Sequence, residues 1–383
     1  MFSNGRQAGP ASERIPKRKP GKGAGMLANR VERILPEDLD KGLKARWTQV
    51  QRADTAQRSP FFSLGFLQAV ARHRPDLEIG ILWQGQRICG FFPFHRRPGG
   101  RGVPLAGPIA DYQGIVGSAG GLSAQDLLSG CGLTHYDYDH GLRGSPLMAW
   151  SAFRHTGSPL IELSAGHDAW YDARRTATSA IKTTERKMRK LTRDIGPLRF
   201  TAHDTAPDAW DSLIAWKRAA LGGKGVRLIL DTPWVRDVTR DIHDTDGPAF
   251  AGRMSTLRAG DRLVAVHFGM RSDAAWHWWF PAYDPAVSAC SPGLGLLMMC
   301  AQQAARDGMA ELDLGRGTER YKREFASATR PLCEGSLERV LAPQGAARRL
   351  RKLLHGVARD MLPERHLDLK RRAFNRLLGA GRM

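Results

Sequence analysis

The sequence predicts an α/β chain of the α+β kind, built as two related halves, each a mixed, mainly antiparallel sheet flanked by helices. Three observations lead there. The chain has 383 residues, too many for one ordinary core and suited to two domains of usual size. Its composition, 42% hydrophobic and 25% charged, is that of a folded globular protein. The order helix, antiparallel meander, helix, strand also occurs twice along the chain, which suggests an internal duplication although no residue-level repeat is visible.

Residues 1–30 are rich in Gly, Pro, Lys and Arg with few bulky apolar side chains, and are expected to form a disordered basic tail. A first domain is expected over residues 31–165. Apolar residues at helical spacing from Val31, including Leu39, Leu43 and Trp47, predict one helix, and Ser59-Pro60 starts a second through Phe66, Leu67 and Val70. Strands over 77–83 and 87–94 meet at Gln84-Gly85-Gln86, a tight hairpin. A glycine-rich loop over 98–121 leads to a helix near Ser123–Leu128 and a closing strand at 159–163.

The second domain is expected over 166–342. A long helix is predicted from Asp168 to Ile195, with Ile181, Met188, Leu191 and Ile195 on one face and Lys and Arg covering the rest, stopped by Gly196-Pro197. A strand at 198–202 and helices from Pro207 to Leu221 and from Pro233 to His243 follow. Strands over 253–258, 262–270 and 274–280 form a meander. A helix from Ser291 to Arg306, a buried strand over 309–314, a helical piece at Tyr321-Lys322 and a last strand over 336–341 complete the half. Residues 343–383 read as a basic amphipathic helical tail suited to peripheral contact with an anionic membrane, or to packing on the domain.

The formal charge is +20, of which the two ends carry +14. The body between them is only mildly basic, so a nucleic-acid-binding surface is not expected. The longest apolar runs fall short of the ~20 residues that span a bilayer, and no apolar stretch follows the N-terminal basic residues as in a leader. Five scattered cysteines without a C-x-x-C pair read as reduced thiols. A cytoplasmic location, peripheral at the inner membrane if the tail binds lipid, is the expectation. His135 and His140 would fall on opposite faces of a strand, so no metal site is expected.

Ser291-Pro292-Gly293-Leu294-Gly295 is the most informative segment. Pro at a first turn presets the backbone, glycines allow close approach, and free N–H groups with the helix dipole suit a pyrophosphate. Plain helix capping is the competing reading.

With the strand end Asp313-Leu314-Gly315-Arg316-Gly317 and the pair Tyr321-Lys322, this segment resembles GNAT-superfamily acetyltransferases of the CelD-like family, associated with cellulose and exopolysaccharide biosynthesis. These are similar in turn to Fem-type aminoacyl transferases with two GNAT-like halves. The resemblance implies an acyltransferase moving an acetyl or other acyl group from acyl-CoA, with no metal, to a hydroxyl or amine of a saccharide precursor or related cell-envelope metabolite. It places the donor over Ser291, Pro292, Gly293, Leu294 and Gly295. One departure stands out: Cys290 occupies the position where the superfamily has Arg or Gln, so one phosphate contact is missing or comes from elsewhere.

For catalysis the candidates are Asp313 at a strand end, His267 and His277 within strands, and Tyr321 as proton donor to the leaving thiolate. Tyr283, Gly315, Gly317 and Lys322 are candidates for substrate contacts. The plainer readings are an Asp bonding its own turn, core histidines, a packed Tyr and a solvated Lys. Trp276, Trp278 and Phe280 are expected on one face of their strand. Two rival functions remain: a Fem-type transferase using aminoacyl-tRNA, motivated by Cys290 and the basic helix, and a non-catalytic scaffold for a membrane synthase.

Overall fold

A computed structural model describes residues 29–222 and 227–339. The expected tail at 343–383, and all but the end of the one at 1–30, lie outside the described residues. Among the described residues no helix is long and apolar enough to cross a membrane.

In the first half the strands are β1 (Arg30–Ile34), β2 (Leu77–Gln84), β3 (Arg87–Arg97), β4 (Arg101–Pro104), β5 (Val116–Gly117), β6 (His135–Leu142) and β7 (Ala152–Glu162). Its helices are α1 (Lys41–Arg52), α2 (Leu64–Ala71), α3 (Ala124–Gly130) and α4 (Pro146–Trp150). The second half opens with α5 (His167–Ala177), α6 (Ala180–Asp194), β8 (Leu198–Thr201), α7 (Pro207–Leu221) and α8 (Pro233–His243). It continues with β9 (Phe250–Ala259), β10 (Arg262–Ser272), β11 (Ala275–Tyr283), α9 (Pro292–Arg306), β12 (Glu311–Asp313), α10 (Arg320–Phe325) and β13 (Ala328–Glu338).

All strands join one sheet in the order β1-β2-β3-β4-β6-β13-β7-β12-β11-β10-β9-β8, with β5 attached to β3. The order has the same logic from either edge. Four antiparallel strands are followed by one parallel step, β4 to β6 across α3 in one half and β11 to β12 across α9 in the other. A parallel pair needs such a crossover. The centre is exchanged: β7, from the first half, pairs with β12, while β13, from the second, lies between β6 and β7. The tandem-halves expectation holds, and the halves interlock.

Local chemistry explains the elements. Pro207 and Pro233 occupy the first turns of α7 and α8, and Gly222 ends α7 with φ 49°. In β10 the run from Leu263 to Met270 is buried throughout, because helices cover both faces.

Several expectations are corrected. The helix expected over 168–195 is two, α5 and α6, because Thr178 is extended and its hydroxyl bonds both Arg174 O and the Ala180 N–H at 3.3 Å, diverting the backbone locally. Strand β1 precedes the first helix; five residues with little burial on an edge gave almost no periodic signal. The last strand begins at Ala328, earlier than 336. Trp276 and Trp278 face one core but Phe280 faces the other. Between Phe268↔Phe280 and Met270↔His277 the β11 strand carries one extra residue, and this bulge inverts the alternation.

Candidate functional site

Strands β11 and β12 pair over only three positions, Ala275↔Glu311, Trp276↔Leu312 and His277↔Asp313. Beyond them β11 runs on to Tyr283, whereas the other strand turns away through Gly315 at φ 71°. The sheet therefore opens a wedge whose apex is His277 and Asp313.

Asp313 is fully buried and heavily solvated by protein. It accepts from the Tyr112 hydroxyl, from Ser158 Oγ at 2.7 Å and from the Gly315 N–H at 2.8 Å, with Arg330 Nη1 at 3.5 Å. Arg330 itself forms a bidentate pair with Glu311 at 2.8 and 2.6 Å. Burial and the Asp313 charge push the Tyr112 phenol well above its ordinary value, so it stays a donor.

His277 bridges Asp313 to the first half. Its Nδ1 lies 3.8 Å from Asp313 Oδ1 and its Nε2 lies 2.9 Å from Asp111 Oδ2. The imidazole is closed off from solvent while the Asp111 side chain is 30% exposed, so the outward end of this chain of groups is Asp111. Burial raises the Asp111 carboxyl, but the hydrogen bond and charge of His277 outweigh it and hold the group below the usual carboxylate value. The Asp111 loop is pinned where Trp279 Nε1 donates to Ile109 O at 3.1 Å and Gln113 Nε2 to Asp139 at 2.8 Å. A side chain on Gly315 would come within 2.8 Å of Asp111 Oδ2. Asp111 and the imidazole can take up, share and return one proton, with the Asp313 charge 3.8 Å from the other ring nitrogen.

At the far end of β11 lies the start of α9. Ser291 holds φ 50° there, Pro292 occupies the first turn, and Gly293 exposes one of the N–H groups that a helix start leaves without an intrahelical acceptor. A cavity of about 210 Å³ opens at this point, lined by Ser179, Thr183, Lys187, Ser291, Leu294 and Arg320 among others. Lys187 Nζ donates to Ser291 Oγ at 2.7 Å. Gly295 makes that approach possible: a Cβ there would sit 2.1 Å from Met188 Sδ, so its bare backbone lets α6 settle and brings Lys187 to the helix start. The corresponding crossover helix of the first half is closed by its own residues, Ser123 and Asp126, in a capping box.

The structure thus gathers Ser291, Pro292, Gly293, Leu294 and Gly295 with Tyr283, whose ring would lie 3.3 Å from a Gly293 Cβ and which is exposed. It also gathers Asp313, His277 and Gly315. His267 stands apart, buried on the other sheet face with its ring stacked 3.9 Å from Trp278 and its Nε2 accepting the Trp279 N–H at 3.1 Å. Burial, aided by the charges of His277 and Lys217, keeps it neutral well below the ordinary histidine value; it braces the bulge in β11. Lys322 is buried and donates to Gly315 O at 3.1 Å and Arg316 O at 3.2 Å, with Glu319 at 3.4 Å. It clamps the loop, and Gly317 leaves the room, since a Cβ there would lie 2.7 Å from Lys322 Nζ. Tyr321 packs beside the core that holds Trp278, and burial raises its phenol. Sequence reasoning missed Asp111, Tyr112, Ser158 and Arg330, none of which carries a local motif. Lys187 it saw only as part of a basic face.

Comparisons with known proteins bear on the fold. FemX superposes with a TM-score of 0.52 at 8% identity, covering 75% of this chain and 93% of that one. A tandem GNAT protein from the clavulanic acid biosynthesis pathway gives 0.46 at 9%, covering 82% and 100%. L-PGS from Bacillus licheniformis gives 0.46 at 10%, covering 82% and 96%. No curated protein matches the chain. The family model described as acetyltransferase (GNAT) domain matches residues 178–323. That segment runs from α6 through the wedge and the α9 start into α10, and it is similar to the GNAT acetyltransferase domain over those residues.

Proposed function

We propose that this chain transfers an acyl group from an acyl-CoA thioester to the hydroxyl or amine of a small or saccharide acceptor related to the cell envelope. The observation that carries the reading is the wedge itself: an anion-suited helix start at one end of the free stretch of β11, and a proton-holding chain of Asp111, His277 and Asp313 at the other. The residues present fit the donor. The Gly293 amide and the Lys187 ammonium suit its phosphates, and Lys187 supplies from α6 the cationic contact that Cys290 cannot make. The unpaired backbone of β11 suits the amides of an extended arm.

The thioester supplies an activated carbonyl. The chain's groups do the rest. Asp111, exposed at the cleft, accepts the acceptor's proton, which is then held between its Oδ2 and His277 Nε2, while Asp313 faces the other ring nitrogen. Tyr321, packed on the α9 side of β11 and kept protonated by burial, is the group proposed to donate to the leaving sulfur. Titration calorimetry with acetyl-CoA and longer acyl-CoA thioesters tests this. Micromolar binding that Lys187→Ala weakens about tenfold or more is expected from loss of a charge-assisted contact. No heat with any thioester at high micromolar concentration would sink it.

A second reading replaces the donor by aminoacyl-tRNA. The exposed Lys182, Arg186, Arg189, Lys190 and Arg193 on α6, beside the same pocket, favour it. RNA that copurifies with the chain and dissociates steeply with salt would support that donor over the thioester.

A further inference from the structure

We propose that the acceptor taken by this cleft is anionic, carrying a carboxylate or phosphate, and that Lys217 on α7 is the residue that receives that group. The inference rests on the acyl-transfer reading for the identity of the cleft, and narrows its substrate class.

The placement follows from helical spacing. Ala209, Leu213 and Lys217 fall four residues apart on α7 and so share a face. The first two are fully buried in the core that Trp210, Ile214 and Leu221 complete, with α7 packed on β10 and β11. Lys217 follows on that face, half-buried, on the side of the sheet that packs Trp279, and its charge reaches Lys322 and Glu319 beside the wedge.

Several other part-buried cations in this structure are matched. Arg74 bonds Asp76, Arg96 bonds Glu78, Arg330 bonds Glu311, and Lys322 has two carbonyls and Glu319. Lys217 has no ion pair and no hydrogen-bond acceptor among the described residues. The charges that reach it are Lys322, which repels it, and Glu319, which is already engaged by Lys322. Through the sheet its charge also reaches the neutral His267 on the opposite face. Burial and the Lys322 charge bring its ammonium down to about 8, which leaves it mainly charged at neutral pH. An uncompensated cation held against a second cation is costly to the folded chain. A bound anion reverses that cost, and puts the acceptor's nucleophile on the Asp111 and His277 side of the wedge.

The test uses the full chain as wild type, Lys217→Met, Lys217→Arg and Lys187→Ala. Inorganic phosphate and acetate are titrated calorimetrically at pH 7 and fixed ionic strength, which separates phosphate from carboxylate recognition, and acetyl-CoA is titrated into the same samples. Acetyl transfer is then measured for glucosamine against glucosamine 6-phosphate and for glycinamide against glycine. At least one anion should bind wild type and bind Lys217→Met about tenfold or more weakly, with Lys217→Arg close to wild type; Lys187→Ala reports on the donor site through the acetyl-CoA titration. The anionic member of one pair should be preferred by a similar factor in kcat/KM, and the preference should vanish in Lys217→Met. Equal anion binding by wild type and Lys217→Met overturns the proposal. So does an equal loss of turnover in Lys217→Met for neutral and anionic acceptors, which would make Lys217 a proton carrier. If acetyl-CoA binds no variant while anion binding still depends on Lys217, the donor assignment falls and the anion site stands.

Discussion

Asp111 Oδ2 and His277 Nε2 meet at 2.9 Å although 166 residues separate them. The contact joins a loop of the first half to the apex of the wedge in the second, so the proposed reactive centre belongs to neither half alone. Asp111→Asn keeps the size of the side chain and removes its capacity to accept a proton. A loss of about 10²–10⁴-fold in kcat at little change in KM for the donor is expected, with an unchanged melting curve. Unaltered kcat in a folded Asp111→Asn chain would remove Asp111 from the proton path and favour a scaffold role.

Gly295 and Met188 give a paired prediction. Gly295→Ala should destabilise the chain by about 1–3 kcal/mol through overpacking and weaken donor binding by displacing Lys187. Adding Met188→Ala removes the sulfur that an alanine Cβ at position 295 would strike, and should recover donor affinity even where it lowers stability. A double variant no better than the single one in calorimetry would break the link between this packing and the donor pocket.

Arg330 is buried beside Glu311 and Asp313, both of which are themselves buried. Arg330→Leu leaves two carboxylates without their cation and should cost about 3–5 kcal/mol in urea unfolding. A cost under about 1 kcal/mol would show that the ion cluster is dispensable for stability.

Lys217 also predicts a pH dependence of stability. Its folded value, about 8, lies below the ordinary 10.5, so between these values the unfolded chain binds more protons than the folded one. Stability should therefore climb with pH across that window, and the penalty should be complete below pH about 8. Lys217→Met removes the penalty: the variant should be the more stable at pH 7, with the gap closing toward pH 10.5. Parallel stability curves from pH 7 to 10.5 would contradict this.

Much of the second half was legible because its elements carry their own punctuation. Pro207, Pro233 and Pro292 start α7, α8 and α9 where proline is tolerated, and Gly222 ends α7 with the left-handed conformation it favours. Ser291 and Gly293 were readable for the same reason: a helix start is a local event. Asp111 and Tyr112 were not, since their meaning lies in His277 and Asp313, and no spacing rule joins residues 166 or 201 positions apart. The bulge at Trp278-Trp279 was equally hidden, so a strict alternation placed Phe280 on the wrong face. Lys217 could have been noticed at helical spacing from Leu213, but a lysine in an apolar stripe reads as a snorkelling side chain until its surroundings are known.

The exchange of β7 and β13 sets a constraint on biogenesis. When translation has reached the end of β7, that strand has neither of its eventual neighbours, because β12 and β13 are encoded about 150 residues downstream. The nascent first half thus waits at the ribosome with unpaired backbone at what will become the middle of the sheet, a surface prone to illicit pairing. Closure is a late, long-range event, so a premature stop before Ala328 should yield no partly competent enzyme but an aggregating fragment.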